Sequence, residues 1–419
     1  EQYDFAYILY RKGLYKQALK LLDKTKTTAI EYEEKTIAFE VLDLEKIIES
    51  QYITRSSENR ADQLVSQTET LSFLNVIAGK LSNLSLQLYN IFLKMGYART
   101  EEEAKQITHF FEANLPDYDY VQLSFREKLW LYQAYLWYNF ITQDFLSCYR
   151  YASKWVDLFQ QNSALIHVHP VSYLKGNHYL LESLFYLNSV DLFERVLIDF
   201  EANIQDERIP NDENISALSF MYLYFNKLNL RFMKGEFADG DALVDEIIKG
   251  IKVYQNTLDE HHLMVLYYKI ASLYFGDDNY KKCIEYLQKI IQNKSLEMRE
   301  DLMCFSRILN LVAHYEAGLD YHLDRLIRST YRFLIKMNDL HEVQKEMIKF
   351  LRDLPKVYPS DLKAEFKKLR DRLKVYEEHP FERRAFLYLD IISWLESNYE
   401  SRPVAEIVKE KFREQKRFV

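Results

Sequence analysis

The sequence predicts an all-α protein built as a repeat of αα-hairpins, and three observations carry that expectation. Its 419 residues include only 9 Gly and 7 Pro, while 48% are apolar or aromatic. Strands need frequent turns, and turns draw on Gly, Pro, Asn and Asp, so this scarcity favours long helices. Glycines often fall inside hairpins, in "RKGLY", "KMGYA", "MKGEF", "YFGDD" and "EAGLD", where Gly after an amphipathic run supplies the left-handed backbone that ends a helix. Pro116, Pro170 and Pro210 lie between helical patterns, in "ANLPDYDY", "HVHPVS" and "DERIPNDEN", where they break helices.

Taken in order, "YDFAYILYRKGLYKQALKLLDK" reads as two helices about Gly13. Helical runs around 37–53 and 64–111 supply room for two further hairpins, and after Gly96 the pair Thr100 and Glu103 forms a capping box that restarts a helix. "LWLYQAYLWYNFI" (Leu129–Ile141) is too short to span a membrane and contains Gln133 and Asn139, so it reads as a helix buried on most sides. Hairpins then follow around Phe145, Val190, Phe237, Tyr280 and Asp320. After Lys336 the pattern changes to amphipathic helices separated by Pro355, Pro359 and Pro380, with a last one opened by Pro403. The division expected is residues 1–336 as the hairpin array and 337–419 as capping helices, because a stack of hairpins needs a polar-faced end.

"YYKIASLYFGDDNYKKCIEYLQKII" (Tyr267–Ile291) resembles a tetratricopeptide repeat, through Tyr267, Ile270–Ala271, Tyr274, Tyr280, Cys283, Leu287 and Ile290. The N-terminal hairpin is similar, through Phe5–Ala6, Leu9, Gly13, Tyr15, Ala18 and Leu22. Partial copies keep Gly235, Phe237, Gly240, Val244 and Ile247, and Phe145, Cys148, Ala152 and Trp155. Residues opening the second helices, from Phe145 to Asp320, are 45, 47, 43 and 40 apart, against about 34 in that family. The resemblance implies a right-handed superhelix with longer, irregular repeats and a concave face lined by the first helices.

Five residues before each opening position stands an aromatic: Tyr10, Phe140, Phe185, Phe232, Phe275 and Tyr315. In the family this position faces the concave surface, and Tyr3, Tyr7, Trp137 and Tyr268 would extend it into an aromatic trough. Two readings stand: a groove for an extended peptide or partner helix, or packing between adjacent first helices. Small residues at Ala18, Cys148, Gly240 and Cys283 mark close helix crossings, which accounts for both cysteines as packing residues.

Several function classes are excluded or set low. There is no glycine cluster for a dinucleotide or phosphate loop, no GxSxG, no HExxH and no kinase set. No cofactor and no metal site is expected. His167 and His169 sit in what reads as a loop without a helpful third ligand, and His261–His262 are adjacent residues that point apart on a helix. Residues 301–419 carry 23 Lys and Arg against 20 Asp and Glu, a balance of +3, which leaves −11 for residues 1–300 out of the total −8. The acidic array argues against nucleic acid, and the basic runs at 367–374 and 409–417 are interleaved with acids. Three cysteines make no disulfide framework, and no signal peptide is visible, so a soluble cytoplasmic protein is expected.

The function expected is a noncatalytic scaffold or adaptor whose concave face receives a peptide or protein segment, with Arg11 and Lys12 setting its orientation. A peptide-sensing regulator, or a single-stranded RNA-binding array, are the alternatives. Oligomeric state is open.

Overall fold

A computed structural model describes residues 1–51, 59–293, 300–337, 340–383, 385–386 and 390–417. Among the described residues there are twenty α-helices and no strand. They are α1 (Gln2–Arg11), α2 (Tyr15–Glu31), α3 (Lys35–Gln51), α4 (Arg60–Met95), α5 (Glu101–Asn114), α6 (Phe125–Ile141), α7 (Phe145–Gln161), α8 (Leu165–Val168), α9 (Pro170–Tyr186) and α10 (Val190–Asn203). There follow α11 (Glu213–Lys234), α12 (Asp241–Val253), α13 (Glu260–Gly276), α14 (Tyr280–Ile291), α15 (Glu300–Glu316), α16 (Asp320–Lys336), α17 (Glu342–Asp353), α18 (Leu362–Lys374), α19 (Ile391–Glu400) and α20 (Val404–Arg417). Most pack on their neighbours in the chain; α4 also meets α15, and α20 returns to α11 in the middle of the sequence.

One turn recurs between helices. The residue two before α2, α7, α10, α14 and α16 has positive φ: Gly13 (75°), Gln143 (62°), Asn188 (52°), Asp278 (55°) and Gly318 (67°). The next N–H donates to the carbonyl five residues back, as Leu14 to Leu9, Asp144 to Asn139, Ser189 to Leu184, Asn279 to Tyr274 and Leu319 to His314. This closure satisfies carbonyls that the helix end leaves open. A hairpin that was not singled out in the sequence has it too, at Glu33 before α3.

Four local expectations need correction. Phe237 does not open a helix: α12 starts at Asp241, after a second positive-φ residue, Asp239. Gly276 is the last residue of α13 rather than the left-handed one, which is Asp278, since a short polar side chain tolerates that region. Gly276 is needed for space, because a Cβ there would stand 2.2 Å from the Phe237 ring. Thr100 caps Glu103 N–H at 3.2 Å, but the Glu103 carboxylate turns to Arg99, accepting its backbone N–H at 2.8 Å, so the box is one-sided. Finally, residues 64–95 belong to a single 36-residue helix, α4.

Among the described residues, the largest core is one cluster whose members lie between Leu84 and Val404. The expected buried helix at 129–141 lies within it: α6 buries Leu129, Leu131, Ala134, Leu136, Trp137, Phe140 and Ile141 on several sides. The N-terminal helices have smaller cores of their own, Ala6, Ala18, Leu19, Leu22, Val41, Leu44 and Ile48 in one, and Ala29, Ala38, Leu42, Leu64 and Leu71 in another. A buried charge cluster ties this arm to the body. Lys35 Nζ donates to Glu127 at 2.9 and 3.0 Å and to Glu33 and Ser124, each at 2.5 Å.

Candidate functional site

The six aromatics of the series are equivalent by backbone. The carbonyls of Tyr10, Phe140, Phe185, Phe232, Phe275 and Tyr315 accept the N–H groups of Gly13, Gln143, Asn188, Gly235, Asp278 and Gly318, the positive-φ residues of their turns. Their side chains nevertheless go to different places. Phe185, Phe232 and Phe275, with Tyr268, line one cavity of about 470 Å³. Trp137 and Phe140 lie just behind its wall, almost wholly buried, with ring centroids 4.9 and 5.8 Å from Tyr179, which does line it. Tyr315 turns to Phe366 on α18, at 6.2 Å. Tyr3, Tyr7 and Tyr10 remain in the N-terminal arm, where Tyr10 packs 6.0 Å from Tyr15 and its hydroxyl donates to Gln51 Oε1 at 3.1 Å. None of these four lines the cavity, and neither do Arg11 and Lys12. The ten residues therefore do not form one trough.

Helices α4, α9, α11 and α13 build most of the cavity, through Tyr89 and Phe92, His178 and Tyr179, Phe225 and Asn229, and Val265 and Lys269. The remaining wall includes Leu302 on α15 and a C-terminal part made by Phe386, Asp390 and, on α20, Val404, Val408, Lys411 and Phe412. Helix α20 thus closes part of a cavity built mostly by helices far earlier in the sequence. No sequence signal pointed to these C-terminal residues, because they meet helices that lie far from them in the sequence.

The polar groups of the wall are arranged around His178. Its Nδ1 stands 3.2 Å from Asn226 Nδ2 and its Nε2 stands 3.5 Å from Glu182 Oε2. An amide nitrogen only donates, so Nδ1 is the acceptor and Nε2 carries the proton. Burial, then the charges of Lys269, His262 and Lys175, hold His178 well below its ordinary pKa and keep it neutral. Lys269 Nζ donates to Asn229 Oδ1 at 2.6 Å and lies 5.7 and 5.9 Å from the centroids of Phe185 and Phe225. Behind the wall, Lys175 sits over the rings of Tyr89 and Trp137, at 4.7 and 5.8 Å, and burial lowers its pKa to about 8. The rings thus offer apolar area, and a few converging polar groups offer orientation, which is the usual construction of a ligand pocket.

The histidine expectations change in detail. His167 belongs to the short helix α8, and His169 caps α9 with its ring stacked 5.9 Å from Phe125; burial lowers its pKa. His261 and His262 do not point apart, since their rings are 5.2 Å from one another and both line the cavity, with His262 drawn to the α13 cap Asp259. Among the described residues no group of three or more His, Cys, Asp or Glu is placed to hold a metal ion. Cys148 and Cys283 are fully buried and burial raises their thiol pKa, which makes them poor nucleophiles. In the basic helices, Lys368 pairs with Glu365 at 2.6 Å, Arg372 with Glu346 at 2.8 Å and Lys411 with Glu396 at 2.8 Å.

Among the described residues no helix is long and apolar enough to cross a membrane. Comparison with known proteins leaves the site to be read from its own residues: no family model, no curated protein and no solved structure matches the chain.

Proposed function

We propose that the chain is a noncatalytic binding protein, a tetratricopeptide-like superhelix of αα-hairpins that takes a short peptide or protein segment in the cavity between its concave helices and α20. The observation that carries this reading is the 470 Å³ cavity where Phe185, Phe232, Tyr268 and Phe275 converge from three helices. That volume falls in the range of about 300–1,000 Å³ typical of ligand pockets. Binding comes from burial of apolar side chains against these rings, with Lys269 and Asn229 orienting the backbone or a polar group of the segment. The recurrent turn and the chain-neighbour packing support the superhelix. Three buried cysteines without a disulfide fit a reducing cytoplasm.

The part played by α20 favours the peptide-sensing alternative over an open adaptor groove. A ligand in the cavity lies against α20 as well as the concave helices, and a change in how α20 packs can pass the event on. The test is selection of random peptides on the immobilised full-length protein, with Phe232→Ala protein of native circular dichroism as the counter-screen. Peptides enriched on the wild type and lost on the variant support the reading. Peptides retained equally on both place the binding elsewhere.

A further inference from the structure

The wall supplied by α20 differs from the others. Helices α9, α11 and α13 are each packed by chain neighbours on both sides. Helix α20 is reached from α19 through Ser401, a non-glycine residue with φ 57°, and Pro403. Helix α19 is pinned to the body, since Trp394 Nε1 and Asn398 Nδ2 donate to Glu316 Oε1 at 2.5 and 2.8 Å. Lys411 ties α20 to α19 rather than to the opposite walls, through Ser393 Oγ and Glu396 Oε2, both at 2.8 Å. Across the cavity, α20 holds on by one apolar stripe: Val404 is buried, and Val408 and Phe412 are half-buried.

Its firmest seat is a backbone contact. At the end of α11, Gly235 has φ 67°, and a Cβ built there would lie 2.9 Å from the Lys409 backbone nitrogen and 3.1 Å from the Ala405 carbonyl oxygen. Only glycine lets the two backbones meet so closely. Among the described residues, α20 meets the cavity's opposite walls through this apolar stripe and this backbone seat, a lighter hold than the packing on both sides of α9, α11 and α13, and lightly held elements are the ones that open locally.

We propose that α20 is the gate of the cavity: it pivots at Ser401–Pro403, leaves the Gly235 seat to admit the ligand and closes again over it. This rests on the cavity being the ligand site, as proposed above. It adds how the ligand enters and which element registers it.

Gly318 provides a matched control. It has the same φ of 67°, but nothing lies within 4 Å of the Cβ it would carry. Gly235→Ala and Gly318→Ala therefore share the backbone strain, and only the first drives a methyl group into α20. The experiment is stopped-flow mixing of the full-length protein with N-phenyl-1-naphthylamine, a neutral aromatic probe that fluoresces when buried. The gate predicts that Gly235→Ala raises the association and dissociation rate constants together, by about tenfold, with little change in Kd. Gly318→Ala matches the wild type. Val408→Ser, which loosens the stripe without touching a glycine, gives the same paired rise should Gly235→Ala fold poorly. The proposal is overturned if Gly235→Ala behaves as Gly318→Ala, or if either loosening variant speeds dissociation alone, as a fixed wall would. Probe binding that is absent, or indifferent to Phe232→Ala, instead removes the cavity reading and the gate with it.

Discussion

The N-terminal arm and the cavity-forming body carry the same turn and the same aromatic position, yet use them differently. In the arm, Tyr10 packs beside Tyr15, and its neighbours Phe5, Tyr7 and Ile8 are 60%, 44% and 48% exposed. In the body, Phe232 and Phe275 occupy the same place in their turns and line the cavity. What differs is the surroundings. The body's first helices are faced by α4 on one side and by α20 returning from the chain's end, whereas α1 meets only its near neighbours α2 and α3 closely. The same place in the recurring turn thus has no fixed role, and the elements that close around it decide whether its ring becomes surface, core or cavity wall.

Variants can break or sharpen this contrast, and the largest effect is expected where the two regions join. Lys35→Met leaves Glu127, a carboxylate with no exposed side-chain surface, without its cation. The loss should be about 3–5 kcal/mol of unfolding free energy by guanidinium titration. A loss below about 1 kcal/mol would show that the arm is not held by this cluster.

Next comes Phe232→Ala, which removes a half-buried ring that packs 6.1 Å from Phe237. It should cost about 2 kcal/mol, below the range for fully buried rings. A larger change, with loss of native circular dichroism, would mean the ring is core and its cavity role is secondary.

A smaller, pH-dependent effect belongs to His178. Its folded pKa lies below the unfolded value of 6.5, so its contribution to stability is present above pH 6.5 and is lost as pH falls. The slope it adds is at most about 1.4 kcal/mol per pH unit. Stability measured between pH 7 and 5 should fall less steeply in His178→Gln, and an unchanged slope would contradict the assignment.

The smallest effect is expected in the arm. Tyr7→Ala should leave stability within about 0.5 kcal/mol of the wild type, since the residue is surface-exposed and outside the arm's buried core.

Much of the fold was legible because it is local. Scarce Gly and Pro, helical periodicity and the spacing of Tyr15, Phe145, Val190, Tyr280 and Asp320 follow from backbone rules that act within a few residues, and these five positions do open helices. The aromatic series was placed in the right register for the same reason. The fate of its rings was not legible, since it depends on contacts far apart in sequence, such as Tyr315 with Phe366 and Phe232 with the surface shared by α20. His178 and Lys269 were missed because a single His or Lys on an apolar helix carries no spacing signal. Asp278 took the left-handed position that Gly276 was expected to fill, and Asp239 added a second left-handed residue after Gly235, which shifted two boundaries.

The central claim, that binding belongs to the body's cavity and not to the arm's exposed aromatics, is tested most directly by equilibrium titration of N-phenyl-1-naphthylamine. Three full-length proteins suffice: wild type, Phe232→Ala with Phe275→Ala, and Tyr7→Ala with Tyr10→Ala. Saturable binding of one probe per chain, weakened about tenfold or more by the Phe pair and unchanged by the Tyr pair, is the predicted result. Binding that survives in the Phe pair and is lost in the Tyr pair would contradict it.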